Sequence, residues 1–239
     1  MIAIPTVSLR AGRCALPGGA SSIAAPASAV SLDDPVGLVR AFANDGFERV
    51  HVEAFESHGL TENDRVLAEL LRDGAAELDV TAALENTDQI QSLFDAGAAR
   101  VVVGSRAIED PDWLAHLTDL FPGLILLASR VRDREVVTRG WVRRMPTDLL
   151  DLAAELHSLP LAGLVVSAAE LDGDQRALEL ALLEDLTETA SVPVFAAGHF
   201  ATTADLRALD HRGLAGAVLG APLYTGELDP RATAQEFAG

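Results

Sequence analysis

Lysine is missing from this chain, and cysteine occurs once. All 18 basic residues among the 239 are arginines, against 36 acidic residues. Without a lysine, the chain cannot form the Schiff base of a lysine-type aldolase or of a pyridoxal-phosphate enzyme, and it cannot supply the lysine of a P-loop nucleotidase. The single Cys14 excludes an internal disulfide, a zinc–cysteine cluster and a CxxC redox pair.

Positive charge is also scarce. The formal net charge of −18 argues against the binding of nucleic acid or of an anionic membrane, because attraction to phosphate needs a basic face. No uncharged apolar run reaches the roughly 18 residues of a membrane-spanning helix. The first residues, MIAIPTVSLRAG, lack the pattern of a signal peptide and are typical of a strand. We therefore expect a cytoplasmic protein.

The chain does contain short apolar runs at wide spacing. Their continuous character is typical of parallel strands that are buried on both faces. Eight such runs occur: Ile2–Leu9, Arg49–Phe55, Glu77–Ala82, Arg100–Gly104, Leu124–Ser129, Gly163–Ser167, Val192–Ala197 and Gly216–Gly220. Helical patterns lie between them, with capping residues at Asp34, Asn86 and Thr202. Together they predict an α/β protein, a single (β/α)8 barrel domain over residues 1–239, rather than an open doubly wound sheet.

An internal repeat supports the barrel. When the chain is shifted by 116 residues, Thr81–Gly104 aligns with Ala197–Gly220 without a gap. Gly97 then coincides with Gly213, and the last glycines of the two segments also coincide. The match predicts half-barrel pseudo-symmetry. The alternative is that any two strand–helix–strand units share a pattern of this kind.

Two irregular stretches interrupt this alternation. Arg10–Ser31 follows the first strand and is rich in Ala, Gly, Ser and Pro. In a barrel it is a loop on the catalytic face, and we interpret it either as a lid or as a disordered loop. Arg132–Trp141 alternates in polarity and predicts a short hairpin after the fifth strand.

Six segments share their order and spacing with one known family. They are IPTVSLRAGR, DGFERVHVEAF, AGAARVVVGSRAIEDP, RVRDREVVTRGW, ELDGD and HRGLAGAVLGAPLYTGEL. Over essentially the whole chain they resemble the phosphoribosyl isomerases of histidine biosynthesis, most closely the bifunctional form that also serves tryptophan biosynthesis. The resemblance implies an aldose–ketose isomerisation of a ribosyl-amine by proton transfers, on a substrate with a phosphate at each end. It implies no cofactor.

The carboxylates of that reaction are missing from the matching positions. Where the resemblance implies an Asp at the ends of the first, fifth and sixth strands, this chain has Ser8, Arg130 and Ala168. In the second strand, Ala54 replaces an Asp, with Glu53 beside it. General acid–base catalysis needs a titratable group within hydrogen-bond reach of the moving proton. The departures therefore predict that the parent reaction is lost.

The phosphate sites of the family are partly retained. The resemblance implies that backbone N–H groups at glycine-rich turns and helix N-termini hold the phosphates, one pair in each half. In the first half, the turn Thr81–Glu85 has lost its glycines and gained an acid that repels phosphate. The alternative for the remaining glycines is a role in tight turns alone. The predicted phosphate-binding residues are Gly198, His199, Gly220 and Ala221 in the second half, and Gly104 and Ser105 in the first.

Further titratable residues fall at or just after the C-terminal ends of strands, where the sites of barrels lie. They are Glu53, Glu56, His58, Glu170, Asp172 and His199. Glu53, Glu170 and His199 are the candidates for acid–base chemistry on another substrate. No HxH or HExxH spacing is present, and we predict no metal site. The alternative is that these residues form a solvated rim.

Three other residues are open to interpretations that involve no catalytic role. His51 lies within a strand and is interpreted as packed rather than catalytic. Trp141 matches a tryptophan near the substrate in the family, but it also fits simple packing after a hairpin. Cys14 has no basic neighbour except Arg13 to lower its pKa, so a nucleophilic role is not expected.

Three hypotheses for the function remain open. The first is a divergent family member that has lost the parent isomerisation and keeps a residual anion site for a small ligand such as a sugar phosphate. The second is a redirected enzyme that acts on another small substrate. The third is a non-catalytic binding or scaffold subunit. None of them needs a cofactor, a nucleic acid or a membrane, and the oligomeric state stays open.

Overall fold

The computed structural model describes residues 1–16, 31–54, 62–138, 143–168 and 178–238. Its strands are, in chain order, β1 (Ile2–Arg10), β2 (Arg13–Ala15), β3 (Arg49–Ala54), β4 (Glu77–Ala82), β5 (Arg100–Val103), β6 (Ile125–Arg132), β7 (Glu135–Thr138), β8 (Arg143–Asp148), β9 (Gly163–Ala168), β10 (Val194–Gly198) and β11 (Gly216–Leu219). Eight of them correspond to the eight predicted apolar runs. Their ends differ from the predicted ends by a few residues at most.

Helices connect the strands. They are α1 (Pro35–Asp45), α2 (Glu62–Asp73), α3 (Thr87–Asp95), α4 (Ser105–Glu109), α5 (Pro111–Leu120), α6 (Leu149–Glu155), α7 (Leu180–Thr189), α8 (Thr203–Asp210), α9 (Ala221–Thr225) and α10 (Pro230–Glu236). A 3-10 turn, Leu156–Ser158, extends α6. The order of strands and helices is that of a (β/α)8 protein.

The strand order closes the sheet. Neighbours run β5-β4-β3-β1-β11-β10-β9-β6, and β5 also pairs with β6. The eight strands therefore form a closed parallel barrel with helices between the strands, which confirms the predicted (β/α)8 fold class. β7 and β8 extend the sheet beyond β6, and β2 pairs with β1.

Local sequence signals explain where the helices begin and end. The side chain of Asp34 caps α1 by accepting the N–H of Gly37 at 2.8 Å, and Pro35 occupies the first turn. Gly46 ends α1 in the left-handed conformation, with φ 112°. Asn86 and Gln89 form a capping box at the start of α3. The predicted caps at Asp34 and Asn86 are confirmed.

The chain divides by its contacts into two compact units. One consists of Ile2–Val101, Ala201–Thr203 and Val218–Gly239; in it, α1 packs against α2 and against β1 and β3. The other consists mainly of Val102–Phe200 and Ala204–Ala217; in it, α6 packs against α7, and α4 against β6 and β7. A single domain over residues 1–239 stays a prediction.

Two strands are absent from the sequence prediction. β2 lies within the stretch that we interpret as an irregular loop, and it pairs antiparallel with β1 through Leu9 and Cys14. The prediction of a wholly irregular Arg10–Ser31 is therefore wrong for its first residues, whereas residues 17–30 lie outside the described part. β8 pairs antiparallel with β7. The hairpin predicted after the fifth strand is confirmed in β6 and β7, where Arg132 pairs with Glu135.

The repeated segments have matching element bounds. Adding 116 to the bounds of β5, residues 100 and 103, gives 216 and 219, the bounds of β11. The same shift places the first residue of α3, Thr87, on Thr203, the first residue of α8. A common origin of the two halves stays a prediction.

Candidate active site

Alternate residues of β1, β3 and β4 place polar side chains on one face of the sheet. The strand register pairs Ser8 with Glu53, and Glu53 with Thr81. His51 precedes Glu53 by two positions, so both side chains point to the same face. The opposite face of β3 and β4 carries Val50, Val52 and Val80, each with 0% exposure.

These polar residues form a connected group that we call the Glu53 cluster: Ser8, His51, Glu53 and Thr81. The hydroxyl of Ser8 donates to Oε2 of Glu53 at 2.6 Å. Nε2 of His51 lies 4.0 Å from Oε1 of Glu53 and 3.1 Å from Oγ1 of Thr81. The His51 side chain is buried, at 7% exposure, whereas Glu53 is 32% exposed. In this cluster the carboxylate of Glu53 is partly exposed, His51 is buried, and Ser8 and Thr81 are half-buried.

A layer of charges lies toward the start of the same strands. Asp79, 1% exposed, accepts from Nη1 of Arg49 at 3.0 Å and from Nε of Arg100 at 2.7 Å. Arg49 also pairs with Glu77. Each buried charge therefore has an opposite partner, as burial of charge requires. The network accounts for these residues without a ligand.

Asn63, at the start of α2, fixes the turn that follows β1. Its Oδ1 accepts the N–H of Gly12 at 2.8 Å, and its Nδ2 donates to the carbonyl of Leu9 at 3.1 Å. The turn contains two residues with positive φ, Ala11 at 49° and Gly12 at 74°. Sequence reasoning missed Asn63. The signal in the sequence is an asparagine at the spacing of the apolar stripe of α2, which continues at Val66. In the structure this side chain is buried, at 1% exposure.

Cys14 and Tyr224 are buried beside β1, where Cys14 pairs with Leu9 and Tyr224 bonds to Thr6. Burial, followed by the charges of Asp34 and Asp33, raises the pKa of the Cys14 thiol to about 12. The thiol therefore stays protonated at neutral pH, in keeping with the expectation that it is no nucleophile. Burial also raises the pKa of Tyr224, with Cys14 and Glu53 contributing, and its hydroxyl donates to the carbonyl of Thr6 at 2.6 Å.

The first phosphate turn is occupied by its own side chains. Oε1 of Gln89 accepts the N–H groups of Glu85, at 2.6 Å, and of Asn86, at 3.3 Å. The side chain of Asn86 accepts the N–H of Gln89 at 3.0 Å. These are the backbone donors that a phosphate at a helix N-terminus would use. Together with the exposed carboxylate of Glu85, they make this turn a poor anion site.

The other unit holds two of the positions at which the family resemblance implies an aspartate. Arg130 lies in β6 and is exposed, and Ala168 is the half-buried last residue of β9. Next to Arg130, Nε and Nη2 of Arg132 are buried without a hydrogen-bond partner among the described residues. Sequence reasoning missed Arg132. The available signal is a second arginine two positions after Arg130, at the end of a barrel strand.

The predicted phosphate-binding residues occupy the ends of strands. In one unit, Gly198 ends β10 and is exposed, with His199 half-buried after it, while Gly104 precedes α4, which Ser105 begins. In the other unit, Gly220 precedes α9, and Ala221 is its buried first residue. Binding of phosphate at these residues stays a prediction.

Several predicted residues lie outside the described part. They are Glu56, His58, Trp141, Glu170 and Asp172. Among the described residues, no group of three or more His, Cys, Asp and Glu side chains is arranged to hold a metal ion. Within the same ranges, no helix is long and apolar enough to cross a membrane.

Fold and site define a (β/α)8 barrel with a polar, carboxylate-bearing cluster at the ends of neighbouring strands, the architecture of barrel enzymes. Residues 2–229 match the family described as histidine biosynthesis protein. The chain belongs to this family.

Relatives match the chain along its whole length. A protein of Gemmatimonas aurantiaca (strain DSM 14586) is 42% identical over 239 residues, covering 99% of both chains. A protein of Myxococcus xanthus (strain DK1622) is 37% identical and covers 100% of both. One of Methanothrix thermoacetophila (strain DSM 6194) is 31% identical over 95% of this chain and 94% of its own. All three are named as isomerases of an imidazole-4-carboxamide that carries two 5-phosphoribosyl groups.

Proposed function

We propose that this chain binds a small phosphorylated ligand in its barrel and has lost the isomerisation for which its relatives are named. The observation that carries this proposal is the hydrogen bond of Ser8 to Glu53. Where the family resemblance implies an aspartate, Ser8 has a hydroxyl whose proton is donated to Glu53. A serine hydroxyl has no pKa near neutrality, so it cannot take over the proton transfer of a carboxylate.

The other replaced positions support the same proposal. The guanidinium of Arg130 stays protonated and cannot act as a base. Ala168 has no titratable group at all. Because each loss removes a group that works together with the others, general acid–base catalysis at these positions falls by roughly 10²–10⁴-fold.

A phosphorylated ligand is supported by the names of the relatives and by Arg132. The relatives' names specify two 5-phosphoribosyl groups. The buried Nε and Nη2 of Arg132 have no acceptor among the described residues, and a phosphate oxygen is a suitable acceptor for a guanidinium. The capping box of Asn86 and Gln89, in which Gln89 also accepts the N–H of Glu85, argues against a phosphate in the first-half turn. The ligand is therefore proposed to be held by one phosphate.

The phosphate-binding residues remain proposals, to be tested in pairs. They are Gly198 and His199, Gly220 and Ala221, and Gly104 and Ser105. An isothermal titration with D-ribose 5-phosphate measures the affinity of the wild type and of variants at each pair. We expect Arg132→Met to weaken binding about tenfold or more, since a charge-assisted hydrogen bond contributes about 1.5–3 kcal/mol. Equal affinity in this variant would remove Arg132 from the site.

The loss of the parent reaction is tested with the substrate of the relatives. Purified full-length chain is incubated with the phosphoribosyl imidazole-4-carboxamide substrate, with the Gemmatimonas relative as positive control. We expect turnover at least about 100-fold below that of the control. Turnover equal to that of the control refutes the proposal and assigns the family reaction to this chain.

A redirected enzyme is the second candidate, and the Glu53 cluster favours it. It requires an acid–base group other than the family aspartates. Glu53 is described, partly exposed and hydrogen-bonded. Glu170, the other carboxylate candidate, lies outside the described residues.

A further inference from the structure

A cavity of about 170 Å³ lies at the N-terminal ends of β1, β3 and β4. Its lining includes the first residue of each of these strands, Ile2, Arg49 and Glu77. Ser8 and Glu53, which belong to the candidate active site, lie near the opposite ends of the strands. The cavity is therefore separate from that site, and all of its lining belongs to one compact unit.

The inner wall of the cavity is apolar and buried. Four of its side chains are at most 5% exposed: Ala3, Phe47, Ala234 and Phe237. The carbonyl of Phe237 accepts the N–H of Ala3 at 3.0 Å, so the segment after α10 is held against β1. The N–H of Phe47 donates to the carbonyl of Phe42 at 3.1 Å, directly after the left-handed Gly46 that ends α1. These hydrogen bonds fix the wall before any ligand binds.

The outer rim of the cavity is acidic. Glu48 and Glu77 line it, and both are exposed. Arg49, the basic residue of the lining, already bonds to Glu77 and donates to Asp79 at 3.0 Å. Within the described part of the chain, the carboxylate of Glu48 has no hydrogen bond or ion pair. The rim therefore offers one carboxylate that can bind a cation.

Size and polarity together limit what the cavity can hold. An apolar cavity of about 150 Å³ takes a molecule of the size of benzene, so this one accommodates a single ring or a short alkyl chain. The faces of phenylalanine rings attract cations as well as apolar groups. An anion does not fit, because the carboxylates of the rim and the net charge of −18 repel it.

We propose that this cavity binds a small organic cation, a protonated amine on an apolar body of the size of one aromatic ring. The ammonium group pairs with Glu48 at the rim, and the apolar body contacts Phe47 and Phe237 on the inner wall. The site goes beyond the proposed function, because it lies away from the candidate active site and selects a ligand of the opposite charge.

Three probes with the same ring separate charge from shape. They are benzylamine, benzyl alcohol and benzoate, of which the first is a cation and the last an anion at neutral pH. Each is titrated into the isotope-labelled full chain at low ionic strength, and the amide shifts of Glu48 and Phe237 are followed by NMR. We expect benzylamine to bind about fivefold more tightly than benzyl alcohol, through one partly exposed ion pair and a cation–π contact. Benzoate should not bind.

Two variants test the two parts of the ligand separately. Glu48→Gln should abolish the preference for benzylamine, because it removes the charge and keeps the shape. Ala234→Leu should weaken the binding of both benzylamine and benzyl alcohol about tenfold or more, because the larger side chain takes the space in which the ring is buried. Glu188→Gln is the matched control and should change neither affinity, since Glu188 is exposed and does not line the cavity.

Circular dichroism verifies that each variant is folded. If Ala234→Leu does not fold, the three probes and Glu48→Gln still decide the proposal. Equal affinity for benzylamine and benzyl alcohol overturns it and identifies the cavity as a space left by packing. Equal effects of Glu48→Gln and Glu188→Gln also overturn it, because the amine is then attracted by the net charge alone. The same holds if benzylamine shifts neither Glu48 nor Phe237.

A competition experiment separates this site from the proposed function. D-ribose 5-phosphate is added to the complex with benzylamine, and the shifts of Glu48 and Phe237 should stay unchanged. Displacement of benzylamine by the sugar phosphate would assign both ligands to one site and overturn the inference. Failure of D-ribose 5-phosphate to bind in calorimetry contradicts the proposed function and leaves the cation site intact.

Discussion

Replacing Ser8 by aspartate restores the residue that the family resemblance implies, but it does so beside Glu53. Oγ of Ser8 lies 2.6 Å from Oε2 of Glu53, so the two carboxylates of Ser8→Asp would lie roughly 4 Å apart. At an effective dielectric constant of about 20, two unit charges at that distance repel by about 4 kcal/mol. Because Glu53 is 32% exposed, screening reduces this, and we expect a loss of about 1–2 kcal/mol in the free energy of unfolding at pH 7.

Urea denaturation of four proteins isolates the repulsion. They are the wild type, Ser8→Asp, Glu53→Gln and the double variant. We expect the double variant to be more stable than Ser8→Asp, since a neutral amide accepts or donates a hydrogen bond beside the new aspartate. Ser8→Asn serves as the uncharged control of the same size. The coupling energy between the two positions follows from the four free energies.

The dependence on salt provides a second measurement. Added salt screens the repulsion between partly exposed charges, so the deficit of Ser8→Asp relative to Ser8→Asn should shrink as the ionic strength rises. If Ser8→Asp is as stable as Ser8→Asn at pH 7, the two side chains do not meet as described. In that case Ser8 does not hold the carboxylate of Glu53.

Three further predictions concern the same unit. Asn63→Ala should lower the free energy of unfolding by about 2–4 kcal/mol, because it leaves the N–H of Gly12 and the carbonyl of Leu9 without their partner. The control Asn44→Ala, at an exposed position, should change this free energy little. Equal losses of the two variants in urea denaturation would show that Asn63 does not hold the turn after β1. Asp79→Asn should cost about 3–5 kcal/mol, because it removes a buried counter-charge from Arg100 and one of the two carboxylate partners of Arg49. The exposed Asp119→Asn is the control, and a loss below about 1 kcal/mol would count against the network. With a thiol pKa of about 12, Cys14 should react with a disulfide reagent at pH 8 about a thousandfold more slowly in the native protein than in 8 M urea (an ordinary thiol pKa being about 8.5); similar rates would show that the thiol is not buried.

The barrel strands could be predicted because burial on both faces leaves a direct mark on composition. A parallel strand covered by helices on one side and by other strands on the other reads as a continuous apolar run, such as Val101–Val103. The helix caps were equally readable, since the side chain of Asp34 or Asn86 satisfies a backbone N–H a few residues away. Both signals are local.

The sequences of β2 and β8 contain no continuous apolar run. β2 has three residues and follows a turn with positive φ at Ala11, a conformation that alanine rarely adopts. β8, with the sequence RRMPTD, carries three charged residues and a proline. A strand of this composition is held by its pairing with a neighbour rather than by its own apolar residues.

The sequence predicted where the candidate site residues lie along the strands, but not which side chains contact each other. Position along the chain places Ser8, Glu53 and His199 at or near strand ends, where barrels carry their sites. It does not reveal that Ser8 donates to Glu53, which is 45 residues away. Nor does it show that Nε2 of the buried His51 lies 4.0 Å from that carboxylate.

The sequence by itself determined the alternation of strands and helices, the closed barrel class and the family, because these follow from periodic burial and from short segments in a set order. It also predicted, through the family resemblance, that the aspartates of the parent reaction are replaced. Only the tertiary structure decided which groups the residues at those positions contact. The register between β1 and β3 brings Glu53 to Ser8, and hydrogen bonds across strands depend on this register, which no single segment specifies.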